Sequence, residues 1–62
     1  MDDGERLLTL REVADRLRVS LRTVEREIAR GHLAAVKVGK QLRVQPEAVG
    51  AYVAARPVTR KV

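Results

Sequence analysis

The apolar positions along this chain change period twice, from near 3.6 residues to two and back again. Leu10, Val13, Ala14 and Leu17 fall at i, i+3, i+4 and i+7, one side of a helix. Thr9 stands just before them, with Glu12 three residues on. That spacing is a capping box, in which each side chain satisfies an orphan backbone N–H. Arg16 and Arg18 stand near the far end, where cations suit the helix dipole, and the helix is expected to end near Arg18. Val19-Ser20 makes the next break, and Ser20 is a good N-cap. Leu21, Val24 and Ile28 then fall within about 60° of one another at about 100° per residue. Arg22, Thr23, Arg26, Glu27 and Arg30 take a separate arc, expected to face away from that apolar line. Gly31 is expected just past the helix end, in the left-handed region.

After Leu33 the period drops to two. Ala34-Ala35-Val36-Lys37-Val38 reads as a strand with Val36 and Val38 on one face. Gly39-Lys40 supplies a turn. Gln41-Leu42-Arg43-Val44 reads as the returning strand, with Leu42 and Val44 inward and Lys37, Lys40, Gln41 and Arg43 at outward and tip positions. A lone two-stranded hairpin is marginal in water, so its apolar face must rest on the helices. Pro46 suits a first helical turn. Ala48, Val49, Tyr52 and Val53 give a third amphipathic stripe, which Pro57 stops at about Arg56. Two helices across a very short turn have the layout of a helix-turn-helix. The expected fold is α+β, mainly α: helix, helix, two-stranded hairpin wing, helix. Residues 1–6 are expected to be a flexible acidic tail, 7–56 the folded domain and 57–62 a flexible basic tail.

Size limits this plan. A chain of 62 residues buries only roughly 60% of the surface its unfolded form exposes. It holds no cysteine, so neither disulfides nor thiolate metal sites are available. That fits a reducing compartment. No apolar run reaches the roughly 18–20 residues needed to span a bilayer. The start, Met1-Asp2-Asp3-Gly4-Glu5, has the wrong charge for a signal peptide. The expected location is therefore cytoplasmic.

Charge changes the picture more. The net charge of +5 is unevenly spread: residues 1–15 carry net −3, 16–43 net +6 and 44–62 net +2. A concentrated positive segment favours a polyanion. Within it, Arg22, Arg26 and Arg30 follow one another at four-residue spacing, a single cationic stripe. Like charges at that spacing destabilise a helix by roughly 0.2–0.5 kcal/mol per pair. A partner with regularly spaced negative charge would reward them. Single-stranded nucleic acid is disfavoured, because it is held by aromatic platforms and this chain has one tyrosine. At helical spacing beside Val49 and Val53, Tyr52 reads as core. His32 stands alone past a helix end, without companion ligands. Neither a catalytic constellation nor a cofactor motif is present, so no enzymatic activity and no cofactor are expected.

The run Thr9, Glu12, Ala14, Leu17, Val19-Ser20, Thr23-Val24, Ile28, Gly31, Leu33, Ala35, Val38-Gly39, Arg43-Val44, Val49 and Tyr52 resembles the excisionase-type winged-helix family, related to the DNA-binding heads of MerR-like regulators. The resemblance covers residues 8–53, about three quarters of the chain. Two departures stand out. Glu25 sits where an aromatic residue is common in that family, and Leu42 where a tryptophan is common. The resemblance implies a second helix in the major groove and a wing against the minor groove or backbone. Carried onto this chain, Arg22, Thr23 and Arg26 become base readers, Lys40 and Gln41 the wing tip, and Ser20 and Arg43 phosphate contacts. Arg30 and Lys37 complete the expected DNA-binding set. The implied role is that of a recombination directionality factor in a phage or mobile element. It would bind repeated sites in double-stranded DNA, bend them, associate head-to-tail along them and direct a site-specific integrase toward excision. A small MerR-like transcriptional regulator is the alternative. A protein adaptor docking an acidic partner is a third reading, and it predicts weak DNA affinity with little salt dependence.

Overall fold

The computed structural model describes residues 6–56. The expected tails at 1–5 and 57–62 lie outside the described residues. The element order is α1 (Leu10–Leu17), α2 (Leu21–Ala29), β1 (Val36–Val38), β2 (Gln41–Arg43) and α3 (Pro46–Ala54). Three helices and a two-stranded antiparallel hairpin make a small, mainly helical, winged helix-turn-helix.

The cap chemistry read from the sequence is present at both helix starts. The Glu12 amide donates to Thr9 Oγ1 at 3.0 Å, and the Thr9 amide donates to Glu12 Oε1 at 2.8 Å. This closes the capping box of α1. At α2 the Thr23 amide donates to Ser20 Oγ at 3.1 Å. Pro46 opens α3, where its missing N–H costs nothing.

Both early helices end on the same hydrogen-bond pattern with different residues. After α2, the His32 amide reaches Glu27 O at 2.9 Å and the Gly31 amide reaches Ile28 O at 3.0 Å, with Gly31 at φ 81°. After α1, Val19 reaches Ala14 O at 3.0 Å and Arg18 reaches Asp15 O at 3.3 Å. Each is a Schellman closure, which needs one left-handed residue. In the first, that residue is Arg18, at φ 59°. A side chain there meets the carbonyl crowding that glycine escapes. Arg18→Gly is expected to raise stability by about 1 kcal/mol, read as a higher urea midpoint. An unchanged or lower midpoint would show that the arginine's own contacts outweigh the strain.

Among the described residues, seven side chains form the core: Leu8, Val13, Ala14, Val24, Leu33, Val44 and Val49. Leu8 belongs to no element foreseen in the sequence. It forms an antiparallel bridge with Val44, with mutual backbone bonds of 2.8 and 2.9 Å. This rung ties the chain before α1 to the base of the hairpin. The pocket so formed leaves Val44 with no exposed surface.

The hairpin differs from its expected facing. The register pairs Val36 with Arg43, Lys37 with Leu42 and Val38 with Gln41. Opposed residues of an antiparallel pair share a face. Val36 and Val38 therefore lie with Arg43 and Gln41, and they are 36% and 51% exposed. Lys37, expected outward with Gln41 and Arg43, takes the opposite face beside Leu42. Leu42 borders an open groove with Leu10 and Leu21 and stays 39% exposed. The cause is reach. Strands of three residues project past a core that only Val44 and part of Ala35 enter.

Candidate nucleic-acid interface

The α2 helix presents two unlike sides. Val24 and Glu27 are buried, whereas Arg22, Glu25, Arg26, Ala29 and Arg30 are exposed. At about 100° per residue the three arginines span an arc of about 80°. Among the described residues neither Arg22 nor Arg26 forms an ion pair. Both guanidinium groups present their donor forks to solvent, a geometry suited to phosphate oxygens or guanine O6 and N7. Arg30 is less free: its Nη1 lies 3.9 Å from Glu27 Oε2.

Ser20 and Thr23 stand at the start of this helix. Their hydroxyls are 3.0 Å apart, and Ser20 caps the Thr23 amide. Ser20 is exposed. Thr23 is half-buried, at the edge of the arginine arc, and borders a cleft of about 180 Å³ between α1, α2 and α3.

The wing lies beside the N-terminal half of α2. An open groove of about 340 Å³ has Leu21 and Glu25 on one bank and Gln41, Leu42 and Arg43 on the other. The tip carries Lys40 beside Gly39, whose φ of 63° makes the tight turn. Lys37, Lys40 and Gln41 are exposed. Arg43 is half-buried and held along its own strand, donating to Gln41 Oε1 at 2.6 Å and to Leu42 O at 2.9 Å. Arg11, at the N-terminus of α1, borders the same groove and is exposed. Sequence reasoning passed over Arg11 because it falls in the net acidic segment. Only the packing of α1 on α2 brings it to the edge of this groove.

Glu27 is buried rather than outward. Expected on the outward arc with the arginines, it is only 8% exposed. Its Oε1 accepts from the Tyr52 hydroxyl at 3.0 Å and lies 3.1 Å from His32 Nδ1 and 3.5 Å from Arg56 Nη1. Arg56 also stacks 4.6 Å from the centre of the Tyr52 ring, at cation–π distance. One carboxylate thus joins the end of α2, the loop after it and α3. The sequence signal was a single-turn offset: Glu27 follows Val24 by three and so borders the buried line.

The His32 hydrogen bond, helped by the Tyr52 hydroxyl and the charges of His32 and Arg30, holds the Glu27 carboxyl below its ordinary range, against the opposing effect of burial. A carboxylate so depressed contributes stability that is complete above its unfolded pKa and is lost as pH falls through the folded value. The destabilisation caused by Glu27→Gln is therefore expected to be largest near neutrality. It should shrink as pH falls below the ordinary carboxylate range and the carboxyl protonates. Urea midpoints of both proteins across that range check this. A difference that holds constant into acid contradicts it.

A family model described as a helix-turn-helix domain matches residues 7–57. The chain belongs to this family. The family includes excisionase-like DNA-binding proteins. No curated protein and no solved structure matches the chain. In a helix-turn-helix domain the second helix is the recognition helix. Here that helix is α2, which carries the exposed arginines.

Proposed function

We propose that this helix-turn-helix domain binds double-stranded DNA sequence-specifically, and that it acts as an excisionase-like recombination directionality factor. One observation carries the DNA-binding part. The outer face of α2 holds two exposed arginines without acidic partners among the described residues, and a cationic hairpin lies alongside. In this reading Arg22 and Arg26 read base edges, with Thr23 at the rim. Arg30, Ser20, Lys37 and Arg43 hold phosphates, and Lys40 and Gln41 form the wing tip. The folded unit comprises residues 7–56. The family's typical role is binding rather than catalysis, and the chain is assigned no chemistry of its own.

The excision role rests on resemblance to excisionases and on size. Bending 20–30 base pairs costs on the order of 1–6 kcal/mol. Several copies bound head-to-tail meet that cost more readily than one domain of this size. The bent array would then seat a site-specific integrase. No helix among the described residues is long and apolar enough to cross a membrane, and the place of action proposed is the bacterial nucleoid. The alternative is a small MerR-like transcriptional regulator.

Nuclease protection of duplex DNA spanning the attachment region beside an integrase gene tests the role. Several evenly spaced protected sites, with slowed migration from bending, are expected. A single unbent site over a promoter would replace excision with transcriptional control. Absence of any protection would remove both.

A further inference from the structure

One charge on the outer face of α2 opposes its surroundings. Glu25 lies three residues after Arg22 and next to Arg26, and it is exposed. It forms one bank of the groove between α2 and the wing. Among the described residues its carboxylate has no hydrogen bond and no ion pair. Arg43, on the far bank, directs its guanidinium to Gln41 Oε1 and Leu42 O instead. An unpaired anion on a face that meets phosphates weakens binding unless it gains a donor there.

A carboxylate offers only acceptors. The major-groove edges then sort themselves. Guanine presents N7 and O6, both acceptors, and thymine presents O4. Adenine places an N7 acceptor beside its N6 donor. Cytosine alone presents a donor, N4–H₂, without an acceptor next to it. Arg22 has the inverse chemistry, a fork of donors suited to guanine. Residues three apart on a helix rise by about 4.5 Å, and stacked base pairs by about 3.4 Å. The two side chains therefore reach positions within one or two steps of each other.

We propose that Glu25 is a specificity residue that selects cytosine by accepting from its N4 amino group, next to the position read by Arg22. This rests on the duplex-binding reading given above. The side chain is exposed, so its replacement leaves the fold intact, which circular dichroism verifies.

The test selects duplexes from a randomised pool with wild type, Glu25→Gln, Glu25→Ala and Arg22→Ala. Wild type is expected to enrich cytosine at one position. Glu25→Gln is expected to switch that position to adenine, because an amide pairs in two places with adenine N6 and N7. Glu25→Ala is expected to lose the cytosine preference by about fivefold or more while other positions hold. Arg22→Ala is expected to relax a different, nearby position. The same motif from wild type and both Glu25 variants, with only a uniform change in affinity, would overturn the proposal and leave Glu25 as a repulsive charge. A wild type that enriches no motif at all removes the duplex-binding reading itself, and this inference with it.

Discussion

Leu33→Ala is expected to unfold a large part of the population at room temperature. Leu33 is 2% exposed and is among the largest fully enclosed side chains of the core. It follows the Gly31 turn and lines the cleft between α1, α2 and α3 with Leu17, Val24 and Tyr52. Truncating a buried leucine to alanine costs about 2–5 kcal/mol. Native domains hold about 0.05–0.15 kcal/mol per residue, which for this chain is roughly 3–9 kcal/mol. The loss is thus comparable with the whole stability. Val53→Ala is the control: Val53 is 51% exposed, and truncation there is expected to stay within about 0.5 kcal/mol. Urea unfolding followed by circular dichroism compares them. A Leu33→Ala midpoint close to wild type would mean that the core does not converge on this residue.

Arg26→Ala is expected to weaken specific duplex binding by roughly 1–3 kcal/mol and to relax preference at one base position. Arg26 sits near the middle of the exposed arc of α2, without an acidic partner among the described residues. No acidic group among the described residues competes for its donors. Lys40→Ala is the contrasting variant. At the exposed hairpin turn, beside Gly39, it is expected to weaken all sequences alike. It should also reduce the slope of log affinity against log salt by about 0.9, the contribution of one neutralised phosphate. Fluorescence anisotropy with matched and scrambled duplexes at several salt concentrations separates the two effects. Equal binding by wild type and Arg26→Ala would remove that residue from the interface.

Local chemistry made much of this fold legible. Thr9 with Glu12, Ser20, Gly31 and Pro46 each act within one turn of the chain, and each is found where the sequence put it. What the sequence concealed depends on contacts between distant residues. The Leu8–Val44 rung spans most of the domain, and no period in the sequence announces it. The left-handed Arg18 has no glycine to mark it, so the turn's geometry is visible only from its hydrogen bonds. Val36 and Val38 look like core by alternation, but the core ends before strands of three residues reach it. Glu27 looks like surface by charge, yet Tyr52, 25 positions further on, supplies a donor that makes burial tolerable. At the candidate interface the arginine stripe was readable from four-residue spacing alone. The arrival of Arg11 and Glu25 at the same groove was not, because it depends on how α1 and α2 meet the wing.

The account turns on the outer face of α2 and the hairpin meeting one duplex together. Backbone amide shifts recorded while a cognate duplex is titrated into isotopically labelled protein measure this directly. The largest shifts are expected at Arg22, Arg26 and Arg30 and across Lys37 to Arg43, with the exposed side of α3 around Ala51 and Ala54 unmoved. Shifts centred on α3, or on the hairpin without α2, would contradict it.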